Sequence, residues 1–198
     1  MSNRLVLASR SAVRVRLLRD AGLVFEADAA DLDEDALVSE VADPKARALL
    51  LARQKAMWVS GRHPGAFVLG GDQVGVLDDG TFLEKPQDPE HHARMLLSMA
   101  GRTHRFVPAV ALVKDGVLLG EASDEVSVKF RAFGPMVAHA YASSGEGQGS
   151  CGGYESEHRG AQLMAAVEGD LHAVVGFPLL LALELLRKHD ARTPGLLF

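Results

Sequence analysis

The stretch Ala66-Phe67-Val68-Leu69-Gly70-Gly71-Asp72-Gln73-Val74-Gly75-Val76-Leu77-Asp78-Asp79-Gly80-Thr81-Phe82-Leu83 decides the fold class. Residues 66–76 form an apolar run of strand length with glycines and one acid inside it. Asp78-Asp79-Gly80 is a tight-turn signal, and Thr81-Phe82-Leu83 returns from it. A second Asp-Gly pair, Asp115-Gly116, lies between the apolar runs 106–113 and 117–130, which read as one long hairpin. An all-parallel sheet would not contain two such hairpins, so the sheet is mixed.

The segments around these hairpins alternate strand and helix. Residues 5–8 read as a first buried strand, and 23–29 as a second. Between them a helix capped by Ser9 or Ser11 runs to Gly22. Asp43-Pro44 and Asp88-Pro89 are helix starts, a capping acid with proline at the first helical position, and Gly61 and Gly101 are the matching stops. Gly134-Pro135 opens a helix to about residue 142. Residues 143–153, rich in glycine and serine, read as a mobile loop. Residues 178–189 read as a leucine-rich helix, followed by a loose tail over 190–198. The fold class is α/β, with helices flanking a mixed sheet.

Composition narrows the function. The chain has 198 residues, 47% hydrophobic and 24% charged, enough to bury a core as one domain or one domain in two lobes. Its net charge of −5 argues against a grip on duplex nucleic acid. The single cysteine, Cys151, excludes a disulfide framework and a cysteine zinc site, and points to the reducing cytoplasm. The most apolar stretch, 173–186, is interrupted by Gly176, Pro178 and Glu184 and is too short to span a membrane. No phosphate-loop, dinucleotide or nucleophile-elbow motif is present, and the histidines have no metal-ligand spacing. His91, His92, His139 and His189 read as surface residues.

Four features stand where structure alone would not put them. Lys55 lies on the apolar face of the 43–60 helix, among Ala48, Leu51, Ala52, Trp58 and Val59, where a lysine either snorkels to water or meets an anion. Asp72 interrupts an apolar strand, which is costly without a partner or a metal; Gly70 and Gly71 beside it admit a close neighbour. Lys85-Pro86 holds a lysine extended after the hairpin. The acidic run Asp31, Asp33, Glu34 and Asp35 is either a solvated surface or, converging with Asp72, a set of oxygen ligands for Mg²⁺.

Together the fragments Leu7-Ala8-Ser9-Arg10-Ser11 with Arg14, Asp33-Glu34, Ala52-Arg53-Gln54-Lys55-Ala56, Gly71-Asp72-Gln73-Val74, Lys85-Pro86, Gly101-Arg102-Thr103-His104 and Glu168-Gly169-Asp170 through Val175-Gly176-Phe177-Pro178-Leu179 resemble the Maf family of nucleoside triphosphate pyrophosphatases. The resemblance runs over nearly the whole chain. It implies a fold like that of the inosine triphosphatases, an elongated mixed sheet with two lobes around a central cleft. It implies hydrolysis of a nucleoside triphosphate to the monophosphate and pyrophosphate with a divalent cation, Mg²⁺ or alternatively Mn²⁺. It makes Asp72 the catalytic acid, Lys55 and Lys85 phosphate-binding lysines, and Glu34 a metal or substrate contact alongside Asp72. Ser9, Arg14 and Val13 fall on substrate positions. Gln73 and Glu157 place the chain nearer the 7-methyl-GTP branch than the dTTP/UTP branch. A carboxylate can accept the two adjacent N–H donors of a guanine edge, which a pyrimidine lacks. A homodimer is implied by the resemblance; a membrane or a nucleic-acid polymer as partner is not. A nucleotide-binding regulator of cell division with little turnover is the competing reading.

Overall fold

The computed structural model describes residues 3–197. Its elements are β1 (Leu5–Leu7), α1 (Ala12–Asp20), β2 (Glu26–Ala27), α2 (Glu34–Val38), α3 (Pro44–Ser60), β3 (Phe67–Leu77), β4 (Phe82–Leu83), α4 (Pro89–Met99), β5 (Thr103–Lys114), β6 (Val117–Ser123), β7 (Val126–Phe130), α5 (Pro135–Ala142), a 3₁₀ turn (Arg159–Leu163), β8 (Met164–Glu168), α6 (Leu171–Val175) and α7 (Leu179–Lys188). The strands form a mixed sheet of eight. β1 pairs in parallel with β2 and β3, whereas β3/β4, β5/β6, β5/β7 and β7/β8 are antiparallel. The α/β class and both Asp-Gly hairpins are as expected. No helix among the described residues is long and apolar enough to cross a membrane.

The chain divides into two compact units. The first contains the residues up to Gln73, with Pro108–Asp124 and the chain from Gly176 onward; the second contains Val74–Val107 and Glu125–Val175. The core of the first gathers Leu5, Leu7, Leu18, Leu69, Val110, Leu112, Phe177, Leu185 and Leu186. That of the second gathers Leu96, Met99, Phe106, Val128, Phe130, Tyr154 and Leu163.

Local chemistry explains the helix boundaries. Asp43 caps α3 by accepting from the Ala46 N–H at 2.7 Å, with Pro44 at the first helical position. Asp88 does the same for α4 through the His91 N–H. Of the two candidate caps for α1, Ser11 is the one used, accepting from the Arg14 N–H, while the Ser9 hydroxyl accepts from the Ser11 N–H.

Five expectations are corrected. The strand expected over 23–29 shrinks to Glu26–Ala27, because its parallel partner β1 has only three residues. The single strand expected over 117–130 is two strands. β6 pairs with β5 from Ala109 to Lys114 and β7 pairs with it from Thr103 to Phe106. Pro108 lies at the break, where it has no N–H to donate to a ladder. The tail is tied down over its described part rather than loose. Val24 N–H donates to the Pro194 carbonyl and Asn3 N–H to that of Arg192, and Ala191, Thr193 and Leu196 are buried. Finally, His92 is fully buried, its ring nitrogen against the Gly153 carbonyl, because the apolar face of α4 turns it inward. Residues 143–153, expected as a mobile loop, form turns tied by the Glu146 carboxylate, which accepts from the Tyr141 hydroxyl at 2.7 Å and the Gly160 N–H at 2.9 Å.

His104, carried by β5 in the second unit, is also fully buried. Its Nε2 lies 2.8 Å from the Tyr154 hydroxyl, and its ring meets Phe106 and Phe130 edge-on. Burial pushes its pKa from 6.5 down to about 4. Between these two values the unfolded chain binds a proton that the folded chain does not. The His104 contribution is therefore fully present above pH 6.5 and is lost as pH falls toward about 4. The slope reaches about 1.4 kcal/mol per pH unit. Urea denaturation at pH 7 and pH 5 is expected to show this loss in the wild type, and less of it in His104→Gln; equal losses would remove His104 as its source.

Candidate active site

The site is built where α3 crosses β3 in the first unit. A Cβ placed on Gly70 would stand 2.0 Å from the Ala52 carbonyl oxygen and 2.8 Å from the Ala56 nitrogen. Only a glycine lets the strand lie this close to the helix. Side chains alternate along a strand, so Asp72, two residues on, faces the same helix as Gly70. Lys55 occupies the α3 face between Ala52 and Ala56 and reaches that carboxylate.

The Lys55 ammonium is 2.6 Å from Asp72 Oδ1 and 2.8 Å from Glu34 Oε2. Lys55 and Asp72 are both buried, with side chains 11% and 10% exposed, while the Glu34 side chain is 47% exposed. The lysine thus does not snorkel to water; it bridges two carboxylates, one inside and one at the surface. Glu34 is the first residue of α2, whose cap is Asp33, accepting from the Ala36 N–H at 3.0 Å. Arg47 of α3 donates to the Val38 carbonyl at the far end of α2, fastening this short helix to its neighbour.

The other predicted residues of this unit lie on the adjoining segments. Ser9 is buried just beyond β1, whose Leu7 is in register with Leu69 of β3. Val13 and Arg14 are half-buried on the first turn of α1. The Arg14 guanidinium donates from Nη1 to the Gly71 carbonyl at 2.6 Å and from Nε to the Gly176 carbonyl at 3.0 Å. Gln73 is half-buried on β3, and its Oε1 would lie 3.4 Å from a Cβ at Gly176. In the second unit, Lys85 is exposed just after β4 and Glu157 is exposed in the segment before the 3₁₀ turn. The Glu157 carboxylate lies 3.5 Å from the Ser156 hydroxyl.

Of the acidic run, only Glu34 comes to Lys55. Asp33 is spent on its helix cap, and among the described residues no group of three or more His, Cys, Asp or Glu is gathered as a metal site. Sequence reasoning missed the anchor at the start of this run. His63 Nε2 lies 2.9 Å from Asp28 Oδ2, and Arg62 donates to that same oxygen at 2.6 Å and to the Ala29 carbonyl at 2.9 Å. The His63 hydrogen bond and the Arg62 charge hold the Asp28 carboxyl below the ordinary carboxylate range. No motif spacing marks this cluster, since its members are brought together by the turn that ends α3.

Two carboxylates converging on one ammonium suit a hard divalent cation. Mg²⁺ uses one or two protein carboxylates and completes its shell with water and substrate phosphates. With one positive and two negative groups, the Lys55 cluster carries a net negative charge. The donor set of Glu34 and Asp72 therefore fits such an ion.

A family model described as Maf-like protein matches residues 4–189. A nucleoside triphosphate pyrophosphatase from Paramagnetospirillum magneticum is 37% identical over 196 residues, covering 96% of this chain and 100% of its own. A 7-methyl-GTP pyrophosphatase from Rhizobium johnstonii is 41% identical over 197 residues, covering 96% of this chain and 98% of its own. Among solved structures, a HAM1 protein from Coxiella burnetii aligns over 65% of this chain and 73% of its own, with 12% identity and a TM-score of 0.47. On the family match and the near full-length identities, the chain belongs to the Maf-like protein family.

Proposed function

We propose that this chain hydrolyses a nucleoside triphosphate to its monophosphate and pyrophosphate. The observation that carries the reading is the buried Lys55 ammonium held between Asp72 and Glu34, in a chain whose near full-length relatives bear the name of that activity. Water attacks the α-phosphorus and pyrophosphate leaves. The barrier is one of charge and positioning. Asp72 orients the water and takes its proton. Lys55 holds the Asp72 carboxylate in place and offers a buried positive charge to the phosphates. Glu34 and Asp72 would hold the divalent cation, Mg²⁺ in this reading, which when bound neutralises phosphate charge. Ser9 and Val13 keep the substrate-binding positions that the resemblance implies for them. Lys85 keeps the phosphate-binding role and Glu157 the base-reading role that the resemblance implies for them. A cytoplasmic homodimer belongs to the same reading.

For the base, we favour 7-methyl-GTP. Two observations support this choice: the relatives of that name at 41% and 40% identity, and the pair Gln73 and Glu157. A carboxylate at position 157 accepts both donors of the guanine edge, and a positive charge on the methylated base strengthens the contact. The test is pyrophosphate release from a nucleotide panel with Mg²⁺. Turnover of 7-methyl-GTP above dTTP and UTP is expected, with a narrower gap in Glu157→Gln. Faster turnover of the pyrimidines would assign the chain to the other branch. Tight binding without product would overturn the enzymatic reading in favour of a nucleotide-binding regulator.

A further inference from the structure

Arg14 stands on a substrate position by resemblance, yet its guanidinium is engaged with the protein's own backbone. One arm donates to the carbonyl of Gly71, the residue immediately before Asp72; another donates to the carbonyl of Gly176, immediately before Phe177. These two peptides already meet closely. A Cβ on Gly71 would lie 2.5 Å from Phe177 Cε2, so the strand rests directly on that ring. Gly176 holds φ +121°, a conformation that side chains rarely adopt. β3 at residues 70–72 is thus gripped from both faces, by α3 through Gly70 and by Phe177 through Gly71. Arg14 ties the second grip to α1.

We infer that Arg14 is a positioning residue for Asp72. It fixes the peptide that precedes the carboxylate, and so sets where that carboxylate meets Lys55. The inference rests on the reading of Asp72 as the reacting group. A planar guanidinium can serve two carbonyls that diverge in direction, whereas an ammonium keeps the charge without the fork. If Arg14 acted by charge on a phosphate, lysine would largely replace it. If it acts by bridging two carbonyls, lysine fails much as glutamine does.

The experiment compares steady-state kinetics of wild type, Arg14→Lys and Arg14→Gln on the best nucleotide of the panel, with pyrophosphate as product inhibitor. The expected result is a kcat at least tenfold lower in both variants, with KM and the pyrophosphate inhibition constant within about twofold of wild type. A lysine variant with near wild-type kcat, or a tenfold rise in KM and in the inhibition constant, overturns the inference in favour of direct phosphate contact. Arg14→Lys carries the test if Arg14→Gln does not fold. A second arm needs no turnover: the change in melting temperature caused by Asp72→Asn is measured in the wild-type and Arg14→Lys backgrounds. Positioning predicts that this change is at least halved in the Arg14→Lys background; equal changes in both overturn it. A wild type that releases no pyrophosphate would defeat the proposed activity, while the melting arm would still decide the role of Arg14.

Discussion

Asp72→Asn is expected to lower pyrophosphate release at least ~100-fold, the low end for losing a general base, while leaving the protein folded. The amide matches the carboxylate in shape, and its oxygen still accepts from the Lys55 ammonium, which the wild type holds at 2.6 Å. Lys55 also keeps its second partner, Glu34 at 2.8 Å, so no buried cation is stranded. What the variant loses is the ability to take a proton and to offer a full negative charge to a cation. Pyrophosphate assays beside circular dichroism separate the two effects. A folded Asp72→Asn protein with activity within tenfold of wild type would remove Asp72 from the reaction.

The opposite partner behaves differently. Lys55→Met is expected to abolish measurable turnover, a loss of at least ~100-fold, and also to destabilise the fold by about 3 kcal/mol, the lower end for removing one partner of a buried ion pair. Methionine suits the helix and the alanine-lined face of α3, so the cost is not one of packing. It arises because the Asp72 carboxylate, with its side chain only 10% exposed, loses its cation at a point where water cannot replace it. Glu34, about half exposed, turns to solvent without penalty, which keeps the loss at the lower end. For a chain of this length that is a fall in melting temperature of roughly 6–12 °C. The double variant Lys55→Met/Asp72→Asn should recover more than half of the loss, because its amide carries no charge to strand. A double variant as unstable as the sum of the two singles would show that the pair is not coupled.

Much of this pair was readable from the amino acids, because each member violates the pattern around it. A lysine on an apolar helix face and an aspartate inside an apolar strand each require a partner, and Gly70 marks the place where helix and strand approach. The long strand β3, its hairpin and the capped starts of α3 and α4 followed from turn and cap chemistry that acts within a few residues. Glu34 was harder to distinguish. It is one of four acids in a short run, and its selection depends on α2, a five-residue helix with too short an apolar pattern to announce itself. The two carbonyl contacts of Arg14 left no trace in the sequence, since backbone carbonyls are present at every residue and only the fold decides which two face a guanidinium. The same holds for the tail over 190–197, whose anchors are main-chain bonds to Val24 and Asn3 rather than a side-chain motif. The interruption between β6 and β7 was legible in principle, because Pro108 withholds a donor from one ladder, but its effect falls on strands distant in sequence.

The order of the two units along the chain bears on how the molecule is made. Every residue of the second unit has been synthesised once Val175 is added, whereas the first still awaits everything from Gly176 onward. The late segment includes Phe177, Leu185 and Leu186, which are core residues of that first unit. Because the polypeptide is made from its amino end, the inserted unit has its whole sequence assembled before the first unit does. The half holding Lys55 and Asp72 lacks part of its core until the residues of α7 are in place, so a chain stopped before Gly176 carries both residues of the pair without Phe177, Leu185 and Leu186.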